Sequence, residues 1–553
     1  MNKKTMNKTI SKSMFCTGSL ILFCAVALPL TVMAASAVPE PGESIRDARQ
    51  QQEVSLQNVA EEKNQSAPAV RFTLKDIRVE HAGIKVKDKD IAAITDKVVG
   101  REIDAAELNG AIGNVTRYIR SHGYPAATAY IPEQTAVDGK LLVKVEPGRF
   151  GEVHLANESG LKTSAAERML TGLKAGDIIR TGQLEKALYN LRDLSGVEVF
   201  GILSPGRETG TSDLTVRVAD KKKTSVVLYS ENYGSESAGR YRYGVQGEVR
   251  NLSGVGDRLN LGALLSNKKQ HNYNVSYETT VGRSASKLGI GFSRADYELG
   301  NAFKALGAEG VANTYSIYGR TPLCNTANRS LALTYGYDYR SIRDELTEFD
   351  VSWKKHSHVV HLGLDGMEKG PKTSVQYNMT LYTGTLVPDS EMAETLGTLG
   401  RTKGRFTKGT ADVTAVQGIG RQFDVLLKLS GQKSANNLDS SEHIYLGGAR
   451  GVRAYPQGEA SGDEGVLGTL ELRYHTPVRG LVLSTYFDAG HVRIEKESGN
   501  GMTLKGWGVG LTYSKPDDWF ARFDYARRIG SDEDMSNEAK SRQRMWFIAG
   551  KVF

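Results

Sequence analysis

Arg240-Tyr241-Arg242-Tyr243-Gly244-Val245-Gln246-Gly247-Glu248-Val249-Arg250 sets an aromatic, aliphatic or glycine residue at every odd position and a charged or polar residue at nearly every even one. A period of two marks a β-strand with unlike faces, because successive side chains point to opposite sides. The pattern recurs downstream. Leu259, Leu261, Ala263 and Leu265 alternate with Arg258, Asn260 and Gly262, and Leu331, Leu333, Tyr335, Tyr337 and Tyr339 alternate with Ala332, Thr334, Gly336 and Asp338. A soluble sandwich also alternates, but it rarely keeps so many charges on its polar face. The tyrosine-rich apolar face fits the interfacial girdle of a membrane barrel. Residues 222–553, roughly 330 at about 20 per strand and connection, predict on the order of 16 antiparallel strands, enough for a closed barrel with an aqueous lumen.

The composition agrees. With 553 residues, 39% hydrophobic and 24% charged, the chain is too apolar for disorder and too charged for a helical membrane bundle. Lys3, Lys4, Lys8 and Lys12 precede an apolar stretch over residues 20–30 and the small-residue sites Val32-Met33-Ala34 and Ala35-Ser36-Ala37. Residues 1–37 therefore read as a signal peptide, cleaved after Ala34 or Ala37. Its apolar stretch is broken by Pro29 and is shorter than the ~20 residues a spanning helix needs. No later run reaches that length, so the mature chain is either soluble or spans as a barrel. Cys16 and Cys24 lie in the leader, which leaves Cys324 without an intrachain disulfide partner. The formal net charge is +8 and includes the four leader lysines, so the remainder is mildly basic and nucleic acid is not an expected partner.

Between leader and barrel the pattern changes twice. Pro39-Glu40-Pro41-Gly42-Glu43 is followed by Ser44-Ile45-Arg46-Asp47-Ala48-Arg49-Gln50, which opens with an S-x-x-D helix start. The segment is polar almost all round, so a helix over 38–57 is either solvent-exposed or lies in a water-filled cavity. Residues 58–70 read as a flexible linker. Two similar units of strand, helix, helix, strand, strand follow, over 71–149 and 150–221. In the first, Phe72, Leu74, Ile77 and Val79 mark the opening strand. Asp104 with Glu107 opens a helix with Leu108, Ile112, Val115 and Ile119 on one face, and Gly123 stops it. In the second, Ser164 with Glu167 is read as a helix cap, and Leu184, Leu188 and Leu191 line the next helix. Val143-Lys144-Val145 and Val216-Arg217-Val218 occupy matching places, an internal duplication of about 73 residues.

Several motifs carry a resemblance. Gly123-Tyr124, Ala129-Tyr130-Ile131-Pro132-Glu133-Gln134, Asp138-Gly139 and Glu146-Pro147-Gly148-Arg149 resemble the run of a polypeptide-transport-associated (POTRA) domain, and the second unit is similar in pattern. Gly447-Gly448-Ala449-Arg450-Gly451-Val452-Arg453-Ala454-Tyr455 and Tyr486-Phe487-Asp488-Ala489-Gly490 resemble the V-R-G-Y loop and F-x-D-x-G strand of two-partner secretion transporters. Ala454 stands where that family usually has glycine. Asn251-Leu252-Ser253-Gly254-Val255-Gly256-Asp257 resembles the family's turn between the first two barrel strands, in diverged form. Phe553, with Ala549, Phe547 and Met545 on its face, resembles the terminal tag read by the barrel-assembly machinery, and Lys551 departs from it.

The resemblance implies a membrane β-barrel preceded by two periplasmic α+β POTRA domains and an N-terminal plug helix bearing Ile45, Arg46, Asp47 and Arg49. It also implies a loop, 444–466, folded into the lumen. Alternation along 481–490 points Asp488 inward, where it could hold Arg453 of that loop. A guanidinium–carboxylate pair there would contribute about 1–3 kcal/mol. The implied function is capture of an unfolded partner in the periplasm and its secretion across the outer membrane. The implied partners are a large exoprotein with a β-helical passenger, outer-membrane lipid, and, during biogenesis, periplasmic chaperones and the assembly machinery. A barrel-assembly factor shares the fold but normally carries more periplasmic repeats, and a passive porin or surface adhesin would not need the duplicated units. No Walker loop, H-E-x-x-H or nucleophile elbow is present, so neither an enzyme nor a cofactor is expected. His356 and His358 alternate away from His361, so no metal site is expected. Cys324, beside Pro322 and Asn325, is read as an incidental loop residue.

Overall fold

The computed structural model describes residues 56–58, 71–135, 138–497, 499–530 and 536–553. The predicted leader and most of the predicted plug helix, including Ile45, Arg46, Asp47 and Arg49, lie outside the described residues. The expected helix does not extend to residue 57. β1 (Leu56–Asn58) is a strand, paired in parallel with residues 201–203. An open sheet edge satisfies the backbone N–H and C=O groups of such a short segment.

The first unit contains β2 (Phe72–Thr73), β3 (Asp76–Glu80), α1 (Asp88–Thr95), β4 (Glu102–Ile103), α2 (Ala105–Ser121), β5 (Thr128–Tyr130) and β6 (Lys140–Glu146). β6 lies centrally, parallel to β3 and antiparallel to β5. The opening strand read over 72–79 is split in two: β2 pairs with β4, and β3 joins the main sheet. α2 starts in a capping box. Glu107 N–H donates to Asp104 Oδ1 at 2.8 Å, and Asp104 N–H donates to Glu107 Oε2 at 3.3 Å. Its Leu108, Ile112, Val115 and Ile119 are buried against the sheet.

The second unit repeats the topology with β7 (Arg149–Asn157), α3 (Thr163–Leu170), α4 (Thr181–Arg192), β8 (Val197–Pro205) and β9 (Thr211–Asp220). Here β9 lies centrally, parallel to β7 and antiparallel to β8, and β1 extends the sheet beyond β8. Ser164 is not a cap. α3 begins one residue earlier without a side-chain cap, and the Lys162 N–H at its start donates to the Gly254 carbonyl at 2.8 Å.

The barrel opens with β10 (Thr224–Glu231), β11 (Arg242–Arg250), β12 (Arg258–Ser266), β13 (Gln270–Val281), β14 (Ser286–Glu298) and β15 (Ala308–Asn325). β16 (Arg329–Leu346), β17 (Val351–Lys369), β18 (Thr373–Pro388), the helix α5 (Glu391–Leu399), β19 (Gly404–Ile419) and β20 (Phe423–Ser434) follow. A loop containing β21 (Ile444–Tyr445) and β22 (Ser461–Gly462) leads to β23 (Glu464–His475), β24 (Leu481–Arg493), β25 (Gly501–Ser514), β26 (Trp519–Arg528) and β27 (Gln543–Val552). β10 pairs antiparallel with β27, which closes a ring of 16 strands. No helix among the described residues is long and apolar enough to cross a membrane.

The alternation is inside-out relative to a soluble protein. Tyr243, Leu261, Ile290, Ile317, Val360, Leu381 and Leu470 are exposed on the outer face, whereas Glu231, Arg242, Glu278, Asp424 and Arg473 are buried on the lumenal side. Tyrosines serve both faces: Tyr315 and Tyr339 lie side by side outside, their rings tilted, in a row that continues to His358, while Tyr318 and Tyr486 are buried within. Residues 251–257 join the second and third barrel strands rather than the first two, because the short β10 precedes them. Cys324 is not in a loop; it is the penultimate residue of β15, opposite Leu331 and just past a register shift at Pro322. The second unit docks on the turns at one end of the ring. Asn325 Nδ2 donates to Asp193 Oδ2 at 2.8 Å, and Ser195 N–H donates to the Gly256 carbonyl at 3.3 Å. The longer connections, including α5, lie at the other end.

Candidate functional site

The lumen is occupied by the connection between β20 and β23. It covers residues 435–463 rather than 444–466, since Glu464 and Gly465 already pair with the wall at Arg493 and Gln432. Within it Ile444 pairs with Gly462 and Tyr445 with Ser461, which makes a hairpin whose tip holds the motif. The glycines at the tip have a steric purpose. Val452 N–H donates to the Leu446 carbonyl at 2.7 Å, and a side chain on Gly451 would collide with that same carbonyl.

This turn drives Arg453 into the wall. The residue is 5% exposed, and its partner Asp488 on β24 is 1% exposed. Arg453 Nε and Nη2 donate to Asp488 Oδ2 and Oδ1, both at 2.8 Å, in the fork geometry in which a guanidinium matches a carboxylate. Nη1 donates at 3.2 Å to Glu471 Oε2 on β23 and to Asp524 Oδ1 on β26. The guanidinium lies 3.1 Å over the centre of the Tyr486 ring, a cation–π contact strengthened by desolvation. The main chain is held as well: Arg453 N–H donates to Asp488 Oδ2 at 3.2 Å, and its carbonyl accepts from Trp546 Nε1 at 2.6 Å. Arg522 bridges from the other side, donating to Asp524 Oδ2 at 2.7 Å and to Glu471 Oε2 at 3.2 Å. Three carboxylates and two guanidiniums thus interlock, and each buried charge has opposite charges in contact with it.

Apolar packing supports the cluster. Val452, Ala454 and Tyr455 are buried with Leu446, Tyr486, Val492, Leu504 and Ala526. Gly490 leaves room for Leu446, whose Cδ2 would stand 3.0 Å from an added Cβ. Phe487 is elsewhere: it is 43% exposed on the outer, lipid-facing side. Phe553, at the periplasmic end, is 51% exposed and closes the seam through its N–H, which donates to the Val226 carbonyl at 2.8 Å. Lys551 departs from an apolar face, and its ammonium lies over the Trp519 and Phe553 rings, at 5.2 and 5.1 Å, and near Asp518 at 3.9 Å. Sequence reasoning does not find Glu471, Asp524, Arg522 or Trp546. The signal available is a polar residue at an inward position, and most barrel strands offer more than one.

A closed ring of strands with a buried, charge-fastened lumenal hairpin, carried above duplicated α+β units, defines an outer-membrane barrel of the protein-transporting kind. Residues 210–513 match the haemolysin secretion/activation protein family ShlB/FhaC/HecB, and residues 72–148 match the ShlB-type POTRA domain; the chain belongs to that family. Over 499 residues it is 26% identical to the heme/hemopexin transporter protein HuxB of Haemophilus influenzae, covering 88% of each chain. It is 23% identical to the outer membrane transporter CdiB of Dickeya dadantii, covering 90% of this chain and 92% of the other. The fold matches CdiB from Escherichia coli with a TM-score of 0.69 at 18% identity, over 92% and 96% of the two chains. The protein is thus a two-partner secretion transporter of the outer membrane, with its POTRA region in the periplasm.

Proposed function

We propose that the periplasmic units capture an unfolded partner by strand addition, and that it passes in extended form through the lumen while Arg453 keeps the hairpin tip on the wall. Strand addition recognises extended backbone before sequence. In the first unit β3 and β5 are the sheet edges, and in the second β7 is an edge while β1 borders β8. The partner is a large exoprotein with a β-helical passenger, whose folding outside the cell supplies direction. The chain acts as a conduit and not as a catalyst. Residues 38–55 act as a plug that leaves before transport. Phe553 serves as the tag read by the assembly machinery, to which periplasmic chaperones deliver the chain.

One observation carries this reading: Arg453 is buried among Asp488, Glu471 and Asp524, with Tyr486 beneath it. A hairpin so fastened has one defined position in an otherwise water-filled channel, which a secretion cycle can use as a fixed point. Arg453→Ala leaves three carboxylates facing a single guanidinium. It is expected to cut secretion of the partner at least tenfold, equivalent to about 1.4 kcal/mol or more, while the barrel still inserts, as heat-dependent gel mobility would report. Undiminished secretion by that variant removes the loop–wall contact from the mechanism.

A further inference from the structure

The hairpin is fastened a second time, at its root and with the charges reversed. Asp439 and Glu442 are both buried and meet cations on strands that precede the loop. Asp439 Oδ2 lies 2.7 Å from Lys355 Nζ on β17. Glu442 Oε1 lies 2.9 Å from Arg340 Nη1 on β16, and its Oε2 lies 2.9 Å from Lys408 Nζ on β19. The turn orients the first carboxylate, since Asp439 Oδ1 accepts from Ser441 N–H at 3.1 Å and from Ser441 Oγ at 2.7 Å. Leu438 is buried with Val359 and Phe406 of the same wall. α5 covers the Lys355–Asp439 pair, and its Ala393 and Leu396 line a cavity of about 40 Å³ with Trp353, Lys355 and Asp439.

Root and tip are built differently. The tip combines a bidentate fork, two further carboxylates, a ring face and an apolar cluster, all lost together if it moves. The root relies mainly on single-point ion pairs, two of them to lysine heads on flexible stems, with Leu438 as its apolar contact and Asp463 accepting from the Leu438 N–H at 2.9 Å. Two loop anions there face three wall cations, with the buried wall carboxylate Asp344 beside Lys355, so parting them leaves an anionic stretch of loop and a wall with net positive charge, each soluble in a wet lumen. We infer that Asp439 and Glu442 form a latch separate from the Arg453 lock: at rest it holds the outer part of the hairpin across the exit, and its release, with the tip still seated, opens the extracellular half of the lumen. The inference rests on the reading that a partner threads through this lumen.

The test uses the full chain in intact cells, with a single reporter cysteine at the root (Ser440→Cys) or near the tip (Gln457→Cys), and a membrane-impermeant maleimide added outside. Cys324 lies at the periplasmic end of β15 and gives the background. Asp439→Asn with Glu442→Gln keeps side-chain size and removes both charges. It is expected to speed labelling at residue 440 severalfold and to leave residue 457 at its original rate. Equal rates at 440 with and without the two substitutions overturn the latch. A joint rise at 440 and 457 also overturns it, because the hairpin would then leave as one body. Should the double variant fail to reach the heat-modifiable barrel, Lys355→Gln, which removes one ion pair, is put through the same comparison, and the same two outcomes overturn the latch. Export by the unaltered protein is measured alongside: no export sinks the threading reading and leaves the labelling result to judge the latch.

Discussion

Ala454 occupies the place where the related loop motif carries glycine, and the reason it fits lies in the wall against it. Its backbone is outside the left-handed region, so no glycine is required on conformational grounds. Its methyl faces Gly506 on β25, where an added Cβ would stand 2.6 Å from the Ala454 Cβ. The absence of a side chain at Gly506 leaves the space that the Ala454 methyl fills. Gly506→Ala is therefore expected to destabilise the folded barrel by about 1–3 kcal/mol, read as a lower urea midpoint of the purified protein, with export reduced in parallel. Ala454→Gly in the same chain should restore most of both. A Gly506→Ala protein that unfolds and exports like the parent would mean that the two residues do not compete for space. The same scale shows what a sequence can say about this site. Arg453 and Asp488 are legible because one sits in a glycine-rich motif and the other alternates inward. Glu471 and Asp524 are 18 and 71 residues from Arg453 in the chain, and they reach it only because the ring brings β23, β24 and β26 around one hairpin. Nothing in Leu470-Glu471-Leu472 or Phe523-Asp524-Tyr525 distinguishes these carboxylates from other inward charges.

The turn over residues 251–257 shows how an element can be recognisable in sequence and still be assigned to the wrong neighbours. β10 has 8 residues and its strand pattern is easily passed over after three lysines, so the turn reads as joining the first strand pair. Ser164 fails as a cap for a related reason: the start of α3 is fixed by the Gly254 carbonyl of the barrel, a partner 92 residues further along the chain. Period-two alternation and the Asp104–Glu107 box succeed because both are settled within a few residues of chain. The turn itself joins barrel and second unit. Asn251 Oδ1 accepts from Gly256 N–H at 3.0 Å, and Asp257 accepts from Ser253 N–H at 3.0 Å and from the Tyr277 hydroxyl at 3.0 Å. A side chain on Gly256 would stand 2.7 Å from the Leu194 Cβ of the second unit. Burial alone would raise the Asp257 pKa, but the hydrogen bonds from Ser253 and Tyr277 outweigh it and hold the carboxyl below its usual range. A group with a lowered folded pKa contributes stability that is complete above its unfolded value and is lost as pH falls through the folded one. Protease cleavage at this junction in the detergent-solubilised protein should therefore stay low down to about pH 4 and climb below it. In Asp257→Asn, which cannot ionise, cleavage should be higher at neutral pH and lack that acid step. If parent and variant show the same acid profile, Asp257 does not hold the joint.

At the scale of the molecule, a ring of 16 strands has room for more than one hairpin. The hairpin reaches along more than half of it, its tip on β23, β24 and β26 and its root on β16, β17 and β19. By pairing with β8, β1 ties the chain at residue 56 to a unit that itself docks on the periplasmic turns. As a helix, residues 38–55 would extend roughly 27 Å at 1.5 Å per residue, comparable to the ~30 Å of the hydrocarbon layer that the barrel crosses. Their Arg46, Asp47 and Arg49 suit a charged lumen rather than an apolar core. Deleting residues 39–57 is thus expected to raise single-channel conductance in planar bilayers severalfold, because it removes both the helix and most of the strand that anchors it. The hairpin would remain as the residual obstruction, so Asp439→Asn with Glu442→Gln should add a further increase on the deleted background. Conductance that the deletion leaves unaltered would show that residues 39–57 do not occupy the pore, and that the hairpin alone sets its resting width.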